Sequence, residues 1–142
     1  MNISEEEKQH LEFIQNIILR MNTNSFQIKA TTITIISALL AVFASNSNVL
    51  FVFIGIIPSI IFWFLDAYYL QLERKFRGVY NDVAGITSAI NVLNYEMPVQ
   101  KYKNGEFSFF NCFKSKTIVW VYLPMILILV TIGIIVLKKN VC

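Results

Sequence analysis

Charged residues make up only 15% of this 142-residue chain, too few to coat a globular surface around a composition that is 56% hydrophobic. That shortage argues against a soluble domain and for a small integral membrane protein. The inventory for catalysis is equally thin. A single histidine, His10, reads as lying on the exposed side of the first helix, and no serine or cysteine has a base placed beside it by the pattern. There is no glycine-rich phosphate loop and no His-Glu-x-x-His, and Asp66 is the only deep carboxylate where intramembrane aspartyl proteolysis needs two. No enzyme activity, cofactor or metal site is expected. The two cysteines, Cys112 and Cys142, fall on opposite sides of the expected bilayer, so neither a disulfide nor a metal-ligand spacing arises. A secretory signal peptide is not expected either, because Glu5, Glu6 and Glu7 open the chain and the first apolar run starts late.

Three apolar runs are present: Ile28 to Ser45, Val49 to Leu72 and Thr117 to Leu137. Each is close to the roughly 17 to 25 residues that a spanning helix requires. Arg74, Lys75, Arg77, Lys101, Lys103, Lys114 and Lys116 all lie between the second and third runs, whereas Ser45-Asn-Ser-Asn48 carries no charge. By the positive-inside rule the middle segment and the N-terminus face the cytoplasm. Lys138 and Lys139 then fall outside, a mild conflict that two lysines do not overturn.

The expected fold is an all-α integral membrane protein. Residues 1–22 form an N-terminal amphipathic cytoplasmic helix, and 26–72 a transmembrane hairpin. A basic cytoplasmic cap follows at 73–116, with a third spanning helix at 117–137 and a short tail at 138–142. Ser4-Glu-Glu-Glu is a capping-box signature, and Leu11, Ile14, Ile18 and Met21 follow at helical spacing. Asn22-Thr-Asn-Ser25 is expected to break that helix and cap the next. Pro58 frees the carbonyl of Ile54, so a kink is expected in the second crossing. Within the cap, Asn81 to Met97 keeps helical periodicity up to Pro98, and Asn104-Gly105 between short extended segments predicts a β-hairpin. The run of Ile, Leu and Val after Pro124 makes the third crossing read as a lipid-facing wall.

Two patterns inside the spans carry functional readings. Gln27, Thr31, Thr34 and Ser37 gather near one face of the first crossing, together with Ala38, Ala41 and Ser45. Such a stripe either lets helices approach closely or borders a water-filled path, and both hold if several copies surround an axis. Asp66, just inside the Trp63, Tyr68 and Tyr69 belt, needs a partner at its depth, and Lys29 is the expected one. The pair reads as a structural fastening or as part of an ion path. Glu73 and Arg77 are set for an i,i+4 pair.

Arg74, Lys75, Arg77, Lys101 and Lys103 are interleaved with Phe76, Tyr80 and Tyr102. This face suits anionic lipid headgroups, a nucleotide or nucleic acid with rings stacked on bases, or an acidic protein partner.

At Asn24-Ser-Phe-x-Ile-Lys29 and Phe62-Trp-x-Leu-Asp-Ala-Tyr-Tyr-Leu-x-x-Glu-Arg-x-Phe-Arg-x-x-Tyr80 the chain resembles small bacterial membrane proteins of anti-phage defence, closest to the transmembrane effectors of Hailong-type systems. The likeness extends from Ile14-Gln-x-Ile-Ile-x-Arg-Met21 through the third crossing and is specific in the two longer motifs. It implies a homo-oligomeric channel in the bacterial inner membrane whose opening depolarises the infected cell. It also implies DNA oligomers, made by a partner nucleotidyltransferase, that hold the channel shut. Lys29, Arg74 and Arg77 match basic motif positions and are the first candidates for oligonucleotide contact; Lys75, Tyr80, Lys101, Tyr102 and Lys103 join them by charge and ring type. The alternatives are a non-conducting anchor that recruits a soluble partner, and a toxin-like pore without a ligand.

Overall fold

A computed structural model describes residues 4–141, with side chains through 139. Among these residues every regular element is helical and no strand occurs: α1 (Glu5–Asn46), α2 (Leu50–Ile54), α3 (Ile56–Val83), α4 (Phe109–Phe113) and α5 (Lys116–Val141), with 3-10 turns at Val99–Lys101 and Gly105–Phe107. Three helical stretches are long and apolar enough to cross a membrane: Glu5–Asn46, Leu50–Val83 and Lys116–Lys139. The described residues fall into two compact units, one within 1–25 and 68–112, the other within 26–67 and 113–142.

Helix α1 begins with the N-cap expected at Ser4, the Glu7 N–H donating to Ser4 Oγ at 3.2 Å, and with three glutamates beside the positive end of the helix dipole. It then runs unbroken for 42 residues. The expected break at 22–25 is absent, and with it a separate N-terminal amphipathic helix. Asn, Thr and Ser have only slightly lower helix propensity than their neighbours, and packing overrides that deficit. Thr23 spends its hydroxyl on the carbonyl of Leu19 at 2.9 Å, and Ser25 is buried.

The first unit has its core at Ile14, Ile18, Val79 and Tyr102, with Phe76, Val83, Ile90, Val92, Met97 and Phe107 packed around them. Helix α3 stops at Val83 instead of continuing to Met97. Gly85 at φ +68° allows the Gly85 N–H to bond Asp82 O at 3.3 Å and the Ile86 N–H to bond Asn81 O at 2.9 Å. Those two bonds are a Schellman stop, which satisfies the last carbonyls and turns the chain away. The periodicity of Ile86, Ile90 and Leu93 is thus not helical; only Ile90 reaches the core, and Ile86 and Leu93 are two-thirds exposed.

The predicted hairpin is also absent, although Gly105 does turn the chain at φ +62°. The carbonyls that a strand ladder would use are taken by side chains of α3: Gln71 Nε2 donates to Phe107 O at 2.8 Å and Arg74 Nη1 to Glu106 O at 3.1 Å. The rings of Tyr102 and Phe107 meet edge-on at 5.2 Å and lie over Gly78, where an added Cβ would stand 2.8 Å from the Tyr102 ring.

In the second unit Ile36, Val52 and Leu129 form the core, supported by Leu40, Phe43, Ile56, Met125 and Ile132. A helical break falls at Gly55, three residues before Pro58, where the proline cannot donate to Ile54. Helix α5 is more than a lipid-facing wall. It buries Ile118, Tyr122, Leu129 and Gly133 along one stripe, and the Phe53 ring of α2 fills the space a Cβ on Gly133 would need. The remaining faces leave Ile57, Ile61, Leu127 and Ile135 exposed, an apolar exterior suited to lipid or to further helices. The expectations placed on Cys142 lie outside the described residues.

Two glycine substitutions separate steric from conformational cost. Gly78→Ala pushes into the Tyr102 ring and should cost about 1–3 kcal/mol, whereas Gly85→Ala meets open space and should lose about 1 kcal/mol to its left-handed backbone alone. Thermal unfolding of the detergent-solubilised protein ranks the two; equal shifts would overturn the packing account of Gly78.

Candidate functional site

The first constellation is polar and lies within the spanning unit. Asp66 is fully buried, and Lys29 Nζ reaches both of its oxygens, at 2.9 Å to Oδ1 and 2.7 Å to Oδ2. Lys29 is itself four-fifths covered. Thr32, one turn after Ile28, is buried and bonds the Ile28 carbonyl at 2.7 Å; the buried Tyr122 hydroxyl stands near Asp66 and Thr32 without a hydrogen bond of ordinary geometry. Trp63 closes this region, stacking on Phe113 at 4.8 Å and on Tyr122 at 6.0 Å and donating its indole N–H to Phe113 O at 3.1 Å. With its charge committed to Asp66, Lys29 is engaged in the unit that also holds the stripe.

The stripe itself is exposed. Gln27, Thr31, Thr34 and Ser37 all face away from the chain's own packing, as do Ala38, Ala41 and Ser45. Successive helical residues turn by about 100°, which puts Gln27, Thr31, Thr34, Ala38 and Ala41 on the side of α1 opposite Thr32, Ile36 and Leu40. The latter three are the face that α1 buries or half-buries. Thr34 Oγ1 donates to Ala30 O at 2.9 Å, leaving its lone pairs outward.

The basic residues of the first unit are less uniformly available than their spacing suggests. Arg77 pairs with Glu73, Nη2 to Oε1 at 2.8 Å and Nε to Oε1 at 3.0 Å, yet 58% of its side chain stays exposed. Arg74 is tied to the Glu106 carbonyl. Lys75 and Tyr80 are half-buried, while Lys101 and Lys103 are exposed and border a cleft of about 420 Å³ with Asn81, Asn104 and Thr87. Tyr102 is the clear departure. It is only 5% exposed, its ring is a core element, and its hydroxyl donates to Asp82 Oδ2, so it cannot stack on a base. Burial, then the bond to Asp82 and its charge, push the Tyr102 hydroxyl pKa up.

Two residues important to this unit were not read as such from the spacing. Asp82 accepts from Thr87 Oγ1, the Tyr102 hydroxyl, the Ala89 N–H at 3.0 Å and the Ile90 N–H at 3.2 Å. An Asp followed three residues later by Gly85 and then by Thr87-Ser88 is a turn signal that marks this position. His10, expected on the exposed side, is 1% exposed and accepts the Tyr95 N–H at 3.2 Å. Cys112 is buried, which pushes its thiol up against the opposing pull of Arg74. Among the described residues no group of three or more His, Cys, Asp or Glu side chains is arranged to hold a metal.

Among the described residues the fold is all-helical, with three helices long and apolar enough to span a membrane, which is consistent with the multi-pass membrane class. Comparison with protein families, curated proteins and solved structures returns no match.

Lys29→Met leaves a carboxylate buried and unpaired, and should cost about 3–5 kcal/mol, whereas the double variant with Asp66→Asn should recover a large part of that loss. Thermal stability in detergent reads the cycle, and additive losses would remove the ion pair from the account. At high pH a second effect appears. A raised Tyr102 pKa stabilises the fold below the unfolded tyrosine value of about 10, and this contribution is lost as pH rises above it. Tyr102→Phe should reduce the alkaline loss; an unchanged alkaline profile in that variant would place the titration elsewhere.

Proposed function

We propose that this chain is one subunit of a homo-oligomeric ion channel of the bacterial inner membrane, the effector of an anti-phage system, held closed by a DNA oligomer. The observation that carries the reading is the polar stripe of α1. Gln27, Thr31, Thr34 and Ser37 stand exposed on a helix apolar enough to span, away from the face that the chain packs for itself. In lipid, such a face is satisfied by another polar surface or by water. Copies arranged with the stripe inward supply both, and only 11% of the apolar window of α1 is buried within its own chain.

Ligand control is placed in the first unit, on the cations that keep surface exposure. Arg77 is the foremost, with Lys75, Lys101 and Lys103, and Arg74 beside it on α3. Phosphates meet these cations through charge-assisted bonds without base reading, which suits an oligomer of varied sequence. Tyr80 packs against the core with part of its ring and keeps part exposed, so with Tyr102 buried it is the ring of the pair that can still meet a base. Shifting the channel from mostly open to mostly closed requires about 5.5 kcal/mol of preference for the closed state, within reach of several phosphate contacts per subunit. A nucleotidyltransferase would be the supplier of such an oligomer.

Ion flux through liposomes holding the purified protein, with and without short single-stranded DNA, tests the whole reading. Flux suppressed by DNA is expected. Thr34→Leu with Ser37→Leu should lower conductance at unchanged assembly, and Arg74→Glu with Arg77→Glu should leave flux but remove its suppression. Absence of flux under all conditions would replace the channel by a membrane anchor, and flux indifferent to DNA would leave a pore without this ligand.

A further inference from the structure

His10 is the chain's only histidine and is almost completely buried at the start of α1. Its Nδ1 accepts the backbone N–H of Tyr95 at 3.2 Å. A ring nitrogen that accepts carries no proton, so the hydrogen of the neutral ring resides on Nε2. That nitrogen is buried and has no hydrogen-bond partner among the described residues. Tyr95, bonded to Nδ1, has φ +64°, a left-handed conformation in which a bulky side chain is strained, and its ring lies tilted 5.7 Å from the imidazole. Two more bonds bring the same stretch onto the same turn of α1: the Tyr95 hydroxyl donates to Gln9 Oε1 at 2.8 Å, and Asn94 Nδ2 donates to Glu6 Oε2 at 3.1 Å.

We infer that His10 and Tyr95 form an acid-released latch that holds residues 93–96 against the first turns of α1. A proton from water arriving at Nδ1 converts the acceptor into a donor that faces the Tyr95 N–H donor. The contact becomes repulsive, and the new charge is trapped where neither ring nitrogen has an acceptor. Detachment of the segment lets the imidazolium reach water and relieves the Tyr95 backbone. Release therefore takes up a proton and is favoured as pH falls.

In this structure no neighbouring carboxylate accepts from His10 Nε2. Glu6 and Glu7 precede His10 by one turn on α1; Glu6 is bonded to Asn94, and Glu7 borders a cleft with Asp82 and Asn94. In the segment itself Glu96 accepts the Leu93 N–H, and Asp82 at the end of α3 already holds Thr87, Tyr102 and two backbone N–H groups. Carboxylates change charge at lower pH than an imidazole, and phenols at higher. Among the groups of the latch, the His10 ring alone gains a charge by taking a proton on the atom that accepts the Tyr95 N–H.

Hydrogen exchange of the full chain in nanodiscs, corrected for the intrinsic pH dependence of amide exchange, tests the latch. As pH is lowered from about 7.5 to about 5, chosen to lie on either side of the value of a free imidazole in water, the Tyr95 amide should exchange about tenfold faster or more, in step with His10 protonation followed by ring 15N signals. His10→Gln keeps an oxygen to accept from Tyr95 but takes no charge, and should hold exchange flat across that range. Equal acceleration in His10→Gln would overturn the inference. So would unchanged exchange in the wild-type chain, or a midpoint separate from that of the His10 ring, and these last two hold even if the variant fails to fold.

Discussion

The folded form of the first unit depends on one carboxylate. Asp82 sits in the last turn of α3, where the chain has just lost its helical hydrogen bonds and must satisfy the next several backbone groups in some other way. It accepts the N–H groups of Ala89 and Ile90, the hydroxyl of Thr87 and the hydroxyl of Tyr102. A segment without regular structure is thereby given a fixed course, and Tyr102 is brought down onto Gly78, where only a residue without Cβ leaves room for its ring. The core formed by Ile14, Ile18, Val79 and Tyr102 follows from that placement. Charge-assisted bonds of this kind are shorter and stronger than neutral ones, and here they take the place of a ladder or a helix.

In the second unit the governing constraint is the cost of an unpaired charge away from water. Asp66 meets it through Lys29, and Thr32 and Ser59 meet their own smaller demands by returning hydrogen bonds to the carbonyls of Ile28 and Gly55. The stripe on the far side of α1 has no comparable solution inside one chain. Thr34 can turn its hydroxyl onto Ala30, but Gln27, Thr31 and Ser37 remain exposed. A surface left in that state on a helix apolar enough to span is the physical reason why the channel proposed above is an assembly around a polar axis.

Much of the architecture was legible because membrane spans declare themselves by length and apolar composition, and these are local properties. The Ser4 cap and the i,i+4 setting of Glu73 and Arg77 are legible for the same reason, since each involves residues within one turn. Asn22 to Ser25 misled because helix-neutral residues stop a helix only when nothing on either side packs, and here buried Met21 and Ser25 continue the inward face. Asn104-Gly105 misled differently. The glycine does make its turn, but α3 offers Gln71 and Arg74 to the flanking carbonyls, so no ladder forms.

By itself the amino-acid order determined how many helices can span, where the basic residues cluster and which polar residues share a face of α1, because each follows from composition and the angular period of the helix. Tertiary structure decided which members of those groups are free to act. Tyr102 and His10 look like surface residues in one dimension and are core residues in three, because Asp82 and Tyr95, 20 and 85 positions away, supply their hydrogen-bond partners. Burial is a property of what the rest of the chain brings alongside, and no local pattern encodes it.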